Sequence, residues 1–200
     1  LADFQSGPAS PASYMGKVAS LLLHRYENGA SPLCMASMDN CSQNGDRLRE
    51  AMTDFARQWA DAGFTDSGFE HYLNDPGQVG FPWSMIDKIT PRPDEKVREM
   101  LTADGFEDVD NIVTSKKTFA APFVNAEETE YLVIEDLFPN GRPPLERTGV
   151  ILTDRETVEK TERMKVCTCL NPLHTAMALY GCLLGYHKIS EEMNDADIVN

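Results

Sequence analysis

The sequence predicts an α/β fold that passes, near residue 150, into a mostly α-helical segment. Three observations carry this. From residue 10 to 62 the apolar residues run at helical spacing, then as a short continuous stretch, then at helical spacing again. That is the helix–strand–helix order of an open α/β sheet. A second strand-like run spans Thr129 to Phe138. From Thr153 onward only helical signals remain, and no charged residue separates Lys165 from Lys188 in a chain that is 25% charged.

Ser10-Pro11 reads as a helix start, with Pro at the first helical position. Met15, Val18, Leu22 and Leu23 continue it to Tyr26, and Asn28-Gly29 stops it. Pro32 to Met38 is a short apolar run expected to be a buried strand, with Asp39-Asn40 at its carboxyl end. A helix from Gly45 to about Ala62 carries Leu48, Met52, Phe55 and Trp59 on one face. Residues 63–92, punctuated by Gly and Pro, read as irregular. Pro93-Asp94-Glu95 opens a helix to about Asp104, and Pro139 to Pro144 form a turn after the second strand. Thr153-Asp154 caps a long helix expected to break near Asn171-Pro172, because an interior proline removes a hydrogen bond. A further helix runs to about Gly185, and another starts at Ser190. The domain boundary is placed at 150, giving segments 1–150 and 151–200.

The net charge of −14 argues against a nucleic-acid or anionic-membrane surface. Five cysteines, with no CxxC pair, read as reduced core residues, and no metal site is expected. A cytoplasmic protein is the expectation. Asn171, Pro172 and His174 inside the uncharged stretch argue against a membrane span. Leu1 opens without an initiator Met, so the chain is expected to be a fragment of a longer protein. No GxGxxG, GxxxxGK[ST] or GxSxG occurs in it.

The uncharged stretch is expected to be buried, and polar groups set in it cost free energy unless paired or used. Lys165, Asn171 and His174 are such groups. A poorly solvated lysine loses its proton readily and can act as a general base. Val158, Glu162, Lys165 and Cys169 share one helical face; a plain Glu162–Lys165 ion pair is the bland alternative. For Asn171 the alternative is a helix cap, and for His174 a satisfied core histidine. Asp39-Asn40 are candidates because open α/β sheets bind ligands beyond the carboxyl ends of strands; an Asx turn is the alternative. Asp87 is a candidate beside a local turn or ion pair, and Glu135-Asp136 with Arg142 read as a structural ion pair.

Four ordered segments resemble the long-chain mannitol dehydrogenase family. They are Met38-Asp39-Asn40 with Asn44-Gly45; Phe81-Pro82-Trp83-Ser84-Met85-Ile86-Asp87-Lys88-Ile89-Thr90-Pro91; Val133-Ile134-Glu135-Asp136-Leu137-Phe138 with Gly141-Arg142-Pro143; and Lys165 with Asn171-Pro172-Leu173-His174. The chain departs from the family pattern in the loop Cys41 to Gln43, and in the step from Lys165 to Asn171, which is six residues where the pattern has five.

The resemblance implies the later part of a Rossmann-like nucleotide domain joined to the start of a mostly α-helical catalytic domain. It implies NAD as cofactor, with NADP open, and no metal. The small-molecule substrate would be a sugar acid or polyol, and the protein a monomer or dimer. By resemblance Lys165 is the general base, with Asn40, Asn171 and His174 holding the substrate oxygens. Glu162 would relay a proton, Asp87 would hold or orient the substrate, and Asp39 and Asn40 would face the cofactor. The Cys-Leu-Asn-Pro-Leu-His wording is closer to the D-mannonate/D-fructuronate branch, with mannitol or another polyol as the alternative. A non-catalytic acidic interaction domain is the reading from a different class.

Overall fold

Ser13, rather than Ser10, starts the first long helix. Its hydroxyl accepts from the Gly16 N–H at 3.0 Å in the computed structural model, which describes residues 2–86, 88, 90, 92–126, 128 and 131–199. The buried Asp3 carboxylate decides this start. It accepts the N–H groups of Ala12 and Ser13 at 2.8 and 2.9 Å, together with the Ser13 hydroxyl. Asp3 lies on a short helix, α1 (Ala2–Ser6), which was not anticipated.

The chain divides into two units, one of Leu1–Ile86 with Leu132–Asn200 and one of Asp87–Tyr131. In the first, α2 (Tyr14–Glu27) and α3 (Asn44–Asp61) follow the apolar spacing of the sequence. Between them, β1 (Leu33–Cys34) is shorter than expected and half-buried. Among the described residues it pairs with β2 (Val79–Gly80), which runs parallel to it and is equally short, so pairing ends after two residues. The region read as irregular contains α4 (Gly68–Asn74), whose Phe69, Tyr72 and Leu73 all face the core. Its helical signal is only seven residues long.

Ala19, Leu22 and Leu23 of α2 form the main core with Met52, Phe55, Ala56 and Trp59 of α3, the α4 trio, Val79 and Phe81. Trp59 is fully buried, and its indole N–H donates to the Asp3 carbonyl at 3.0 Å, tying α1 to α3. A second sheet has the order β3 (Ser84–Met85), β6 (Val133–Glu135), β7 (Ile151–Thr153). β3 is antiparallel to β6, and β6 is parallel to β7. The strand expected over 129–138 thus contracts to three residues, matching its short partners; Thr129 and Glu130 lie outside the described residues. After it, Asp136 pairs with Arg142 at 2.8 Å, as the sequence suggested, and Arg142 also reaches Glu146.

The second unit holds α5 (Glu95–Ala103) and an antiparallel pair, β4 (Ile112–Val113) and β5 (Phe119–Ala120). Asp94 caps α5 by accepting the Lys96 N–H at 2.8 Å.

From Arg155 to Leu184 the backbone is helical without interruption. α6 (Arg155–Glu162) leads into a π-wound stretch, Arg163–Leu170, which leads into α7 (Asn171–Leu184). The expected break at Pro172 is therefore a change of winding. Asn171 donates its N–H to the Val166 carbonyl, five residues back, just before the residue that has no N–H to give. Two short helices follow, α8 (Ile189–Glu192) and α9 (Ala196–Val199).

The uncharged stretch is not buried. Leu173, Leu179, Tyr180, Leu183 and Leu184 are exposed, Leu183 to 82%. Among the described residues the short helices α8 and α9 pack against α7, and two four-residue helices are too small to cover its 14 residues. Cys167, Cys169 and Cys182, expected in a core, are free and exposed for the same reason, whereas Cys34 and Cys41 are half-buried.

Candidate active site

Two of the sequence motifs meet at Asn44. This residue is 2% exposed at the start of α3. Its amide nitrogen donates to the carbonyls of Asp39 (2.8 Å) and Ser84 (3.1 Å) and to the Ser84 hydroxyl (2.8 Å), and its oxygen accepts the Ser84 N–H at 3.0 Å. Gly45 lets the helix start come close, because a Cβ there would lie 2.6 Å from the Pro82 carbonyl oxygen. The loop carrying Asp39 and Asn40 is thereby fixed beyond the carboxyl end of β1. Both side chains are exposed. Asp39 accepts the Cys41 N–H at 3.0 Å, so the Asx turn weighed from the sequence is present.

Arg155 ties the long helix to this region. It donates to Glu135 at 3.0 and 3.1 Å, pairs with Asp46 at 3.2 Å and lies over the Trp83 ring at 4.8 Å. Burial works against its charge, but the Glu135 and Asp46 carboxylates outweigh that and raise its pKa. Glu135 thus pairs with Arg155 rather than with Arg142. Asp154 caps α6, accepting the Thr157 N–H at 2.8 Å; that bond holds its carboxyl below the usual range.

Along the predicted face, Val158 is buried, and Glu162 accepts the hydroxyl hydrogen of Ser42, two residues beyond Asn40. Lys165 and Cys169 then line a cavity of about 350 Å³ with Leu170, Leu173, His174, Met177, Ile189 and Met193. His174 is half-buried, with Nδ1 3.0 Å from the Leu170 carbonyl oxygen. A carbonyl can only accept, so Nδ1 carries the hydrogen and Nε2 is left facing away from that bond. The opposite wall comes from α8, which sits against α7 where Gly181 leaves room for the buried Glu192 carboxyl group.

Lys165 and His174 therefore share one cavity, with Glu162 one turn earlier, tied to the Asn40 loop. Asn171 is exposed and absent from the cavity lining, and it is the first residue of α7 rather than its cap, a position that Leu170 takes. Asp87 lies outside the described residues. Sequence reasoning quoted Asn44 and Ser84 within motifs without giving either a role, and passed over Ser42 and Arg155. The Asn-Gly pair and the Ser inside the Phe81–Pro91 block were visible signals for the first two; nothing local marked Ser42 or Arg155. Among the described residues no group of three or more His, Cys, Asp or Glu could hold a metal ion, and no helix is long and apolar enough to cross a membrane.

Residues 4–147 match the family described as mannitol dehydrogenase Rossmann domain. The chain is 54% identical over 195 residues to a D-mannonate oxidoreductase of Thermotoga maritima, covering 96% of this chain and 36% of that protein. It is 33% identical over 197 residues to a mannitol 2-dehydrogenase of Neosartorya fischeri, covering 96% of this chain and 35% of the relative. Among solved structures, it is similar to the Pseudomonas fluorescens mannitol 2-dehydrogenase ternary complex with NAD and D-mannitol. The TM-score is 0.71 at 30% identity, covering 98% of this chain and 35% of that one. The chain thus spans about a third of the length of the relatives it matches.

Proposed function

The chain belongs to the mannitol dehydrogenase family, and on that premise we propose that the protein containing it is an NAD-dependent oxidoreductase. It would interconvert a secondary alcohol and a ketone of a sugar acid, D-mannonate and D-fructuronate. The observation that carries this reading is the shared cavity of Lys165 and His174, beside a glutamate linked to the Asn40 loop. The greater identity to the D-mannonate oxidoreductase, 54% against 33% for the mannitol enzyme, favours the sugar acid over a polyol.

Oxidation requires the alcohol to lose its hydroxyl proton as hydride leaves the carbon. The nicotinamide ring supplies the hydride acceptor. Lys165, as the neutral amine, takes the proton. His174, with Nδ1–H engaged by Leu170, accepts from the neighbouring hydroxyl and so fixes the substrate's orientation. The amides of Asn40 and Asn171 donate to the oxygen that gains negative charge. Asn171, exposed in the described structure, would reach the substrate from the rim. Glu162 passes the proton toward solvent through its position beside Ser42. Asp39 and Asn40 fit the cofactor because they are exposed at the carboxyl end of a strand in a parallel pair. Asp87 would orient the substrate. The boundary near 150 would separate the nucleotide domain from the helical catalytic domain.

The test is a substrate panel of mannonate, mannitol, altronate and arabinitol, run with NAD and NADP on the full-length protein. Turnover of mannonate in excess of the polyols supports the reading. Preference for mannitol moves it to the polyol branch, and no turnover of any member, with either cofactor, rejects it.

A further inference from the structure

Lys165 and His174 lie nine residues apart. At about 100° per residue, nine residues of α-helix turn through about 900°, two and a half turns, which sets their side chains on opposite faces. Yet both line one cavity. The winding between them resolves this. The Asn171 N–H reaches the Val166 carbonyl, and the Thr168 hydroxyl donates to the Arg163 carbonyl at 2.9 Å; both bonds span five residues. A turn closed from i to i+5 holds one more residue than an α turn, so it removes about 100° of the separation and leaves the two side chains about 80° apart. The lining shows the result: adjacent pairs, Cys169 with Leu170 and Leu173 with His174, face the same space.

We propose that the π-wound stretch Arg163–Leu170 is a positioning element of the catalytic site. It carries one surplus residue, and this keeps Lys165 and His174 on a common wall with Cys169 between them. The proposal rests on the reading of Lys165 as base and His174 as substrate acceptor. It predicts that the surplus residue can be removed but not doubled. Deleting Thr168, which is outside the cavity lining, lets the helix wind as α with the pair eight positions apart, about 80° apart again.

The experiment measures kcat, KM and the pH profile of kcat/KM for hexuronate reduction by the full-length wild type, the Thr168 deletion, and a variant with one Ala inserted after Cys169. Thermal unfolding checks that the variants fold. The expected result is a deletion variant within about tenfold of wild-type kcat with an unshifted pH profile, and an insertion variant down by about 100-fold or more. An active wild type with a folded deletion variant as impaired as the insertion overturns the proposal alone. An inactive wild type overturns the proposed reaction and this proposal with it. If the deletion variant does not fold, a crystal structure of the full-length wild type decides. An Asn171 N–H bonded to the Val166 carbonyl, with Lys165 and His174 on one wall, upholds the proposal; α bonding at Asn171, or opposed side chains, overturns it.

Discussion

Asn44 and Ser84 hold each other by reciprocal hydrogen bonds: the Asn44 side-chain oxygen accepts the Ser84 N–H at 3.0 Å, and its nitrogen donates to the Ser84 hydroxyl at 2.8 Å. The two residues are 40 positions apart in the chain, and the bond pair is buried. It sets the loop that carries Asp39 and Asn40.

Replacing Asn44 should therefore unfold this corner. Asn44→Ala leaves the buried Ser84 N–H without its acceptor and two carbonyls without a donor. The expected loss is roughly 2–4 kcal/mol. For a chain of this length that lowers Tm by roughly 4–16 °C. Asn44→Asp keeps the acceptor for Ser84 but loses the donors, and should also destabilise. Thermal unfolding of the two variants checks both statements.

Arg155 is the tie between the long helix and the sheet. Arg155→Leu keeps apolar contact with Trp83 but takes the cation from Glu135 and one of two from Asp46, which keeps Arg49 at 3.6 Å. Arg155 is half exposed, so solvent screening limits the cost to about 1–2 kcal/mol. Urea unfolding should show that loss, with a smaller change for Asp46→Asn.

The Asp3 carboxyl is held below its ordinary value by the Ser13 hydroxyl and by the N–H groups of Ala12 and Ser13. A depressed folded-state pKa contributes stability that is fully present above the unfolded value, about 3.9, and is lost as pH falls through the folded value. Asp3→Asn should therefore be less stable than wild type at pH 7, and the difference should shrink on acidification below about pH 4. Tm measured from pH 7 to pH 3 tests this; parallel curves would contradict it.

Burial pushes the Cys34 thiol up to about 11, and Cys41 is also raised, by burial and the neighbouring Asp39. Cys167, Cys169 and Cys182 are exposed. Thiol titration of the 200-residue chain at pH 8 should show the exposed three reacting rapidly and Cys34 reacting more slowly than they do, until unfolding makes the rates alike. Slow reaction at Cys169 would mean that the lysine helix is covered.

Long amphipathic helices were legible because their spacing repeats over several turns: Leu48, Met52, Phe55 and Trp59 mark α3 in the sequence alone. The short elements were not. α4 has seven residues, β1 has two, and their signals are no longer than those of a turn. Ser13 displaced Ser10 as the cap because Asp3, distant in sequence, fills the preceding N–H groups. At the candidate site the residue types were visible and their arrangement was not. The six-residue step from Lys165 to Asn171 can be read from the sequence; the π winding that brings Lys165 and His174 together depends on backbone bonding around Pro172. Burial of the uncharged stretch failed as an expectation because hydropathy marks a face that needs a partner without saying where that partner lies.

The most direct test of the account is the rate of NADH-dependent fructuronate reduction by the full-length protein, wild type against Lys165→Ala. The account predicts measurable turnover by the wild type and a folded variant with kcat reduced by about 100- to 10,000-fold. A wild type that turns over neither hexuronates nor polyols, or a Lys165→Ala variant with undiminished kcat, would contradict it.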